Sequence, residues 1–212
     1  MTTDAIQGRP YVVAHVAVSA EGATTGFAPD LGRFYELAAT WREDVTLAGS
    51  DTILAQEPAL AEAPRPGPAA DGPLLAVVDG GGRVRQWEAL RDVGHWSDVL
   101  ALHAAATPAR PADRSVRELV VGEERVDLAA ALRSLGQSHA TVRVDSGGAL
   151  IGALLRAGLL DEVSLLVHPL LAGARGDRRW HGSAPAPAGE LALVGVKKWD
   201  DGLVWLRYRL KR

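Results

Sequence analysis

The residues best suited to chemistry are Ser146-Gly147-Gly148, which fall where the apolar pattern changes period. Before them, Thr141 to Asp145 alternates and is rich in valine, as a strand is. After them, Ala149, Leu150, Ala153, Leu154 and Ala157 recur at helical spacing. A strand that ends in a glycine pair opening a helix leaves backbone N–H groups unpaired at the positive end of the helix dipole, which suits phosphate. Side chains on those glycines would hold a pyrophosphate away from the amides. The competing reading is a plain tight turn from strand to helix. Gly49-Ser50-Asp51-Thr52, between Val45 to Ala48 and Ile53-Leu54-Ala55, repeats the strand, glycine, helix order. Two such junctions are harder to attribute to turn geometry than one.

Three other polar residues carry open readings. His15 lies in the apolar run Tyr11 to Ser19, so it is either hydrogen-bonded inside the core or in contact with a substrate. Asp145 ends a buried strand beside a helix N-terminus. It either caps that helix or bonds an amino or hydroxyl group of a substrate. Glu21, in the loop Ala20 to Gly26, is either plain solvated charge or a group that orients a substrate or a proton-donating water. His181 beside Trp180 is given no role. With no cysteine in the chain, disulfides, thiolate chemistry and a cysteine-ligated zinc site are excluded, and no metal is expected.

The elements that must position these residues follow from period and punctuation. Tyr11 to Ser19 is almost continuously apolar and reads as a buried central strand. Asp30 offers an N-cap to a helix carrying Leu31, Phe34, Leu37, Ala38 and Trp41 on one face. Val45 to Ala48, Leu74 to Asp79, Val99 to His103, Glu118 to Val121 and Glu162 to Val167 read as further strands, and Asp127 caps a helix marked by Leu128, Ala131, Leu132 and Leu135. Glu57 to Pro73 holds five prolines and two glycines and is read as an irregular excursion, slack rather than a lid. Ala174 to Gly189 reads as a second loose segment. Leu191 to Trp199 and Leu203 to Leu210 flank Asp200-Asp201-Gly202, a hairpin signal. Strands alternating with helices and closed by a hairpin predict a three-layer α/β fold, its sheet mostly parallel with antiparallel strands at one edge.

Composition narrows the function. The 212 residues are 47% hydrophobic and 23% charged, ordinary for a globular protein with a real core, and are read as one domain over 1–212. A net charge of −3 with scattered Lys and Arg argues against nucleic acid and anionic membranes as partners. No apolar run approaches the roughly 20 residues of a membrane helix, and Met1-Thr2-Thr3-Asp4 lacks the marks of a signal peptide, so a cytoplasmic protein is expected.

Four segments, in order, resemble the reductase domain of riboflavin biosynthesis, a family with a dihydrofolate reductase-like fold that is often fused to a zinc deaminase. They are Arg9-Pro10-Tyr11 through Ser19-Ala20-Glu21-Gly22; Ala48-Gly49-Ser50-Asp51-Thr52-Ile53-Leu54-Ala55-Gln56-Glu57-Pro58-Ala59-Leu60; Val144-Asp145-Ser146-Gly147-Gly148 through Leu155; and Ala157-Gly158-Leu159 onward to Pro169-Leu170-Leu171-Ala172-Gly173. The resemblance implies an NADPH-dependent reductase that passes hydride to a small heterocyclic substrate of pteridine, pyrimidine or dihydrofolate type. It implies cofactor contacts at Gly49, Ser50 and Thr52, at Gly80 or Arg83 near the adenosine 2′-phosphate, and at Ser146, Gly147, Gly148, Ala149, Leu150 and Gly152 around the pyrophosphate. It places His15, Ser19, Glu21, Gln56, Leu60 and Asp145 on the substrate side.

Glu21 stands where the family pattern has aspartate, Gln56 where it has an acid, and His15 where a basic residue is frequent. Two alternatives therefore stay open: the riboflavin-pathway step itself, reduction of 5-amino-6-(5-phosphoribosylamino)uracil, and a dinucleotide-binding sensor or scaffold without chemistry. The hairpin strands carry apolar residues at adjacent positions, so neither has a clean polar face. A homodimer with Trp199 or Trp205 near its interface is expected.

Overall fold

The computed structural model describes residues 8–109 and 116–211. Along the chain its elements are β1 (Tyr11–Ser19), α1 (Leu31–Ala38), β2 (Val45–Gly49), α2 (Ser50–Glu62), β3 (Leu74–Val78), α3 (Trp87–Asp92), β4 (Asp98–His103), β5 (Arg117–Val120), α4 (Leu128–Gly136), β6 (Thr141–Val144), α5 (Gly148–Arg156), β7 (Glu162–His168), β8 (Leu191–Lys198) and β9 (Val204–Leu210). They form two compact units, one of Met1–Pro10 with Glu43–Val142, the other of Tyr11–Arg42 with Arg143–Arg212.

In the first unit β5, β4, β3 and β2 lie side by side, all parallel, with Val45 opposite Leu74 and Leu74 opposite Asp98. The apolar sequences of β2, β3 and most of β4 suit strands covered on both faces, whereas β5, Arg-Glu-Leu-Val, is largely exposed at the edge. Leu75, Val77, Val99 and Ala101 pack with Trp87 and Leu90 of α3, a helix the sequence pattern does not announce. Six residues make less than two turns, too few to show a period. What fixes α3 is burial of the Trp87 ring, whose Nε1 donates to the Val84 carbonyl at 3.1 Å.

α2 corrects the expected excursion from Glu57. The helix runs to Glu62 with Pro58 inside it, and Leu60 is buried in the unit's core. Proline removes one backbone donor, yet Ala59-Leu60-Ala61-Glu62 are all strong helix formers and Leu60 has apolar surface to bury. The rest of the excursion is held by its backbone: Gly67 N donates to Asp92 O at 3.0 Å and Ala69 N to Trp96 O at 2.8 Å.

In the second unit β1 is parallel to β7, β7 is antiparallel to β9, and β9 pairs with β8 in the C-terminal hairpin, where the register shifts between Leu193 and Gly195. Asp30 caps α1 by accepting from Arg33 N at 2.9 Å, which turns Phe34 and Leu37 onto Leu166 and Leu203. Asp127 caps α4 of the first unit in the same way. The segment expected to be loose from Ala174 is strapped down. Ala23 and Arg179 form an antiparallel bridge, Thr24 N donates to Arg178 O at 2.8 Å, and Trp180 N donates to Gly22 O at 3.3 Å. Side chains add to these main-chain anchors, with Thr25 Oγ1 donating to Asp177 Oδ1 at 2.8 Å. No helix among the described residues is long and apolar enough to cross a membrane.

Candidate cofactor and substrate sites

On the first unit the junction at the end of β2 is built as its sequence suggests. Gly49 is the N-cap residue of α2 in extended conformation, and no side-chain bond caps the helix. The loop after β3 brings a cationic side chain to this junction. Asp79 is fully buried; its Oδ1 accepts from Arg83 N at 2.9 Å and its Oδ2 from Val84 N at 2.9 Å. Gly82, at φ +59, closes the turn by donating to Asp79 O at 2.9 Å, a conformation that favours glycine. Thr107 Oγ1 donates to the Gly80 carbonyl at 3.1 Å and fixes the loop from the other side.

This rigid loop aims Arg83 at the start of α2. Its Nη2 donates to Ser50 Oγ at 2.8 Å and to Asp51 Oδ1 at 2.6 Å, and the Asp51 bond raises the guanidinium above its ordinary range. Arg85 instead folds back onto the Gly82 carbonyl, leaving Arg83 as the cation presented there. Thr52 lies partly buried one residue further along α2. Gln56 is exposed on the same helix, and Leu60 belongs to the hydrophobic core rather than to a surface.

On the second unit Gly147 is the N-cap of α5, again with no side-chain cap bond. Asp145 therefore does not cap this helix. Its Oδ2 accepts from Arg143 Nη1 at 3.1 Å, and Arg143 is itself buried within β6. Arg143 escaped the sequence reading; the available signal was a pair of opposite charges at i and i+2, hence on one face of a strand. An ideal Cβ at Gly147 would meet nothing within 4 Å. At Gly148 it would lie 2.5 Å from Gly182 N and 2.9 Å from Gly182 Cα, and at Gly152 it would run into the His181 carbonyl group. Gly147 thus leaves the helix start open, whereas Gly148 and Gly152 admit the 179–182 segment. Ala149 is exposed and Leu150 buried, while Ser146 lies partly buried before the glycine pair.

The loop after β1 is tied to that same segment. Ser19 Oγ accepts from Ala23 N at 3.1 Å, Glu21 Oε1 accepts from Gly173 N at 3.1 Å, and the Glu21 carbonyl accepts from Arg179. Glu21 is thus neither free-standing charge nor an unused acceptor. His181, given no role from sequence, belongs with Trp180 to the strap against which α5 is seated.

His15 is 1% exposed and both its ring nitrogens are engaged. Nε2 faces the Phe34 carbonyl at 3.0 Å, an acceptor, so Nε2 carries the proton; Nδ1 then accepts from Ser164 Oγ at 2.9 Å, and that hydroxyl accepts from Trp205 Nε1 at 2.7 Å. This is a hydrogen-bonded core histidine with no nitrogen left for a substrate. Burial, with the Arg143 charge adding to it and the Phe34 bond opposing it, lowers its pKa from 6.5 to about 4. The unfolded chain then takes up a proton between these values while the folded one does not. The contribution is fully present above pH 6.5 and is lost as pH falls toward 4, amounting to about 3 kcal/mol. We expect urea-derived stability to fall across that window by about this amount in the native sequence and less in His15→Leu. Equal pH slopes in the two proteins would refute it.

The family model described as the RibD C-terminal domain matches residues 10–205. The chain belongs to that family. The 2,5-diamino-6-ribosylamino-4(3H)-pyrimidinone 5′-phosphate reductase of Methanothermobacter thermautotrophicus is 32% identical over 183 residues, 80% of this chain and 82% of that protein. Among solved structures, a pyrimidine reductase-like protein from Corynebacterium diphtheriae superposes with TM-score 0.73 at 15% identity, covering 96% of this chain and 92% of the other. The Saccharomyces cerevisiae riboflavin biosynthesis reductase gives 0.69 at 18% identity, over 100% and 93%. The Thermotoga maritima deaminase/reductase gives 0.71 at 17% identity, and this chain spans only 58% of that one. The fold is dihydrofolate reductase-like, and the family is one of oxidoreductases that draw on a nicotinamide cofactor.

Proposed function

We propose that this protein is an NADPH-dependent reductase of a small aminopyrimidine bearing a ribosyl or ribityl phosphate. The observation that carries the reading is the pyrimidinone phosphate reductase 32% identical to it across most of both chains. On the first unit we assign Gly49, Ser50, Thr52, Gly80 and Arg83 to the cofactor. On the second we assign Ser146, Gly147, Gly148, Ala149, Leu150 and Gly152 to it, and Ser19, Glu21 and Asp145 to the substrate side. The cofactor supplies hydride. The protein's share is to bind and orient, and the Arg143 contact that fixes the Asp145 carboxylate serves that end. The test is NADPH consumption with the ribosylaminopyrimidinone 5′-phosphate, its dephosphorylated form and a pterin. Turnover of the phosphate alone supports the reading. Dinucleotide binding without turnover of any of them would favour a sensor.

Preference for NADPH over NADH is expected from Arg83, because a guanidinium matches a phosphate monoester in charge and in donor geometry. Equal dissociation constants for the two would overturn that expectation.

We also propose a homodimer. β8 is an edge strand, and Leu191, Leu193, Val194 and Val196 are all exposed on it. The shift of register beside Gly195 explains why residues of both parities reach the surface. An apolar edge of this kind invites a two-fold copy. Trp199, held between Arg33 and Lys197 at 4.8 and 4.7 Å, is the tryptophan suited to such an interface; Trp205 turns inward to Ser164. Sedimentation equilibrium should give twice the 22.4 kDa of one chain. A single-chain mass that stays constant as concentration rises would end the idea.

A further inference from the structure

The loop that presents Arg83 also presents it to a carboxylate. Asp51 Oδ1 lies 2.6 Å from Arg83 Nη2, with the two side chains 71% and 51% exposed, so the pair stands at the surface rather than in the core. Burial does not demand the pairing, and Ser50 Oγ already accepts from the same nitrogen at 2.8 Å. Asp79 and the Gly82 turn fix the loop through its backbone, so Arg83 does not need Asp51 to be held near α2. Asp51 therefore contributes charge. It places one negative unit beside the cation that would receive a second anion.

We infer that Asp51 is a specificity-determining residue that holds down the preference for a 2′-phosphorylated dinucleotide by partly neutralising Arg83. The inference rests on the reading of Arg83 as the partner of the adenosine 2′-phosphate. Both bonds from Arg83 fall on Nη2, so the edge formed by its other nitrogens is not used by Ser50 or Asp51 and a phosphate can approach it without displacing the carboxylate. The phosphate must then sit within several ångströms of a like charge. Between exposed groups that repulsion corresponds to about tenfold in affinity at low salt and shrinks as salt is raised. A dinucleotide with a 2′-hydroxyl carries no such charge and meets no such repulsion.

Asp51→Asn keeps the shape and an acceptor oxygen while removing the charge, and at an exposed position it leaves folding intact. Calorimetric dissociation constants for NADPH and NADH, and for 2′-AMP against 5′-AMP to isolate the subsite, are measured in the native protein, Asp51→Asn and Arg83→Met. The expected result is NADPH and 2′-AMP binding about tenfold tighter in Asp51→Asn, with NADH and 5′-AMP changed less than twofold and the gain reduced in high salt. If Arg83→Met lowers the NADPH preference while Asp51→Asn leaves it unchanged, the inference about Asp51 fails and the reading of Arg83 stands. Weaker NADPH binding in Asp51→Asn also overturns the inference, since the carboxylate would then be orienting Arg83 productively. If Arg83→Met leaves the preference unchanged, the reading of Arg83 fails and the inference falls with it.

Discussion

Gly147→Val is expected to weaken NADPH binding by 100-fold or more in a protein that still folds, whereas Gly148→Ala is expected to damage the fold itself. Gly147 sits at φ −74, ψ 172, extended backbone that valine adopts readily, and nothing lies within 4 Å of the Cβ it would gain. The new methyls would cover the approach to the first amides of α5. A loss of 100-fold corresponds to about 3 kcal/mol, the scale of a few charge-assisted hydrogen bonds. At Gly148 the added carbon would press on the backbone of Gly182, which cannot rotate away as a side chain would. Overpacking of this kind costs about 1–3 kcal/mol, or several degrees in melting temperature for a chain of this size. Thermal melts and calorimetry on the two variants separate the effects. A folded Gly147→Val with unchanged NADPH affinity would remove α5 from the cofactor site.

The contrast between these adjacent glycines marks where the sequence stops being informative. The change from strand to helix period around Ser146-Gly147-Gly148 was visible, and the helix begins at Gly148 as that change indicates. The reason for the second glycine was not. Gly148 and Gly152 make room for main-chain atoms of residues 179–182, about 30 positions away, and a carbonyl group has no residue type by which to announce itself. β1 was legible over Tyr11 to Ser19 because a strand buried on both faces needs an unbroken apolar run. The caps at Asp30 and Asp127 were legible because the side chain that ends the pattern also makes the bond. α2 outruns its local sequence pattern because Pro58, a strong breaking signal, is overridden by the burial of Leu60. His15 stayed open because one histidine in an apolar strand fits both a core and a site; only the placement of Phe34 and Ser164 decides.

Glu162→Ala should be the most destabilising single truncation in the second unit. Glu162 is 2% exposed at the first position of β7, a charge that burial alone would forbid. Four donors surround it: Tyr11 Oη at 2.8 Å, Trp41 Nε1 at 3.2 Å, and Arg207 Nε and Nη2 at 2.6 and 3.1 Å. The Arg207 guanidinium in turn lies over the Trp41 and Trp205 rings at 5.2 and 5.4 Å, so the carboxylate joins β1, β7, β9 and the end of the first helical segment. Burial first, and then the bond to this carboxylate, push the Tyr11 phenol up to about 12. Truncation leaves a partly buried guanidinium without this counter-charge and takes an acceptor from Tyr11 and Trp41. The expected loss is about 3–5 kcal/mol in urea unfolding at neutral pH, with a smaller loss in Glu162→Gln, which keeps one acceptor oxygen. The Tyr11 titration should also move down in Glu162→Ala, since one cause of its elevation is gone. That shift distinguishes loss of this network from a general loosening, and a stability loss below about 1 kcal/mol would mean that water substitutes for the carboxylate.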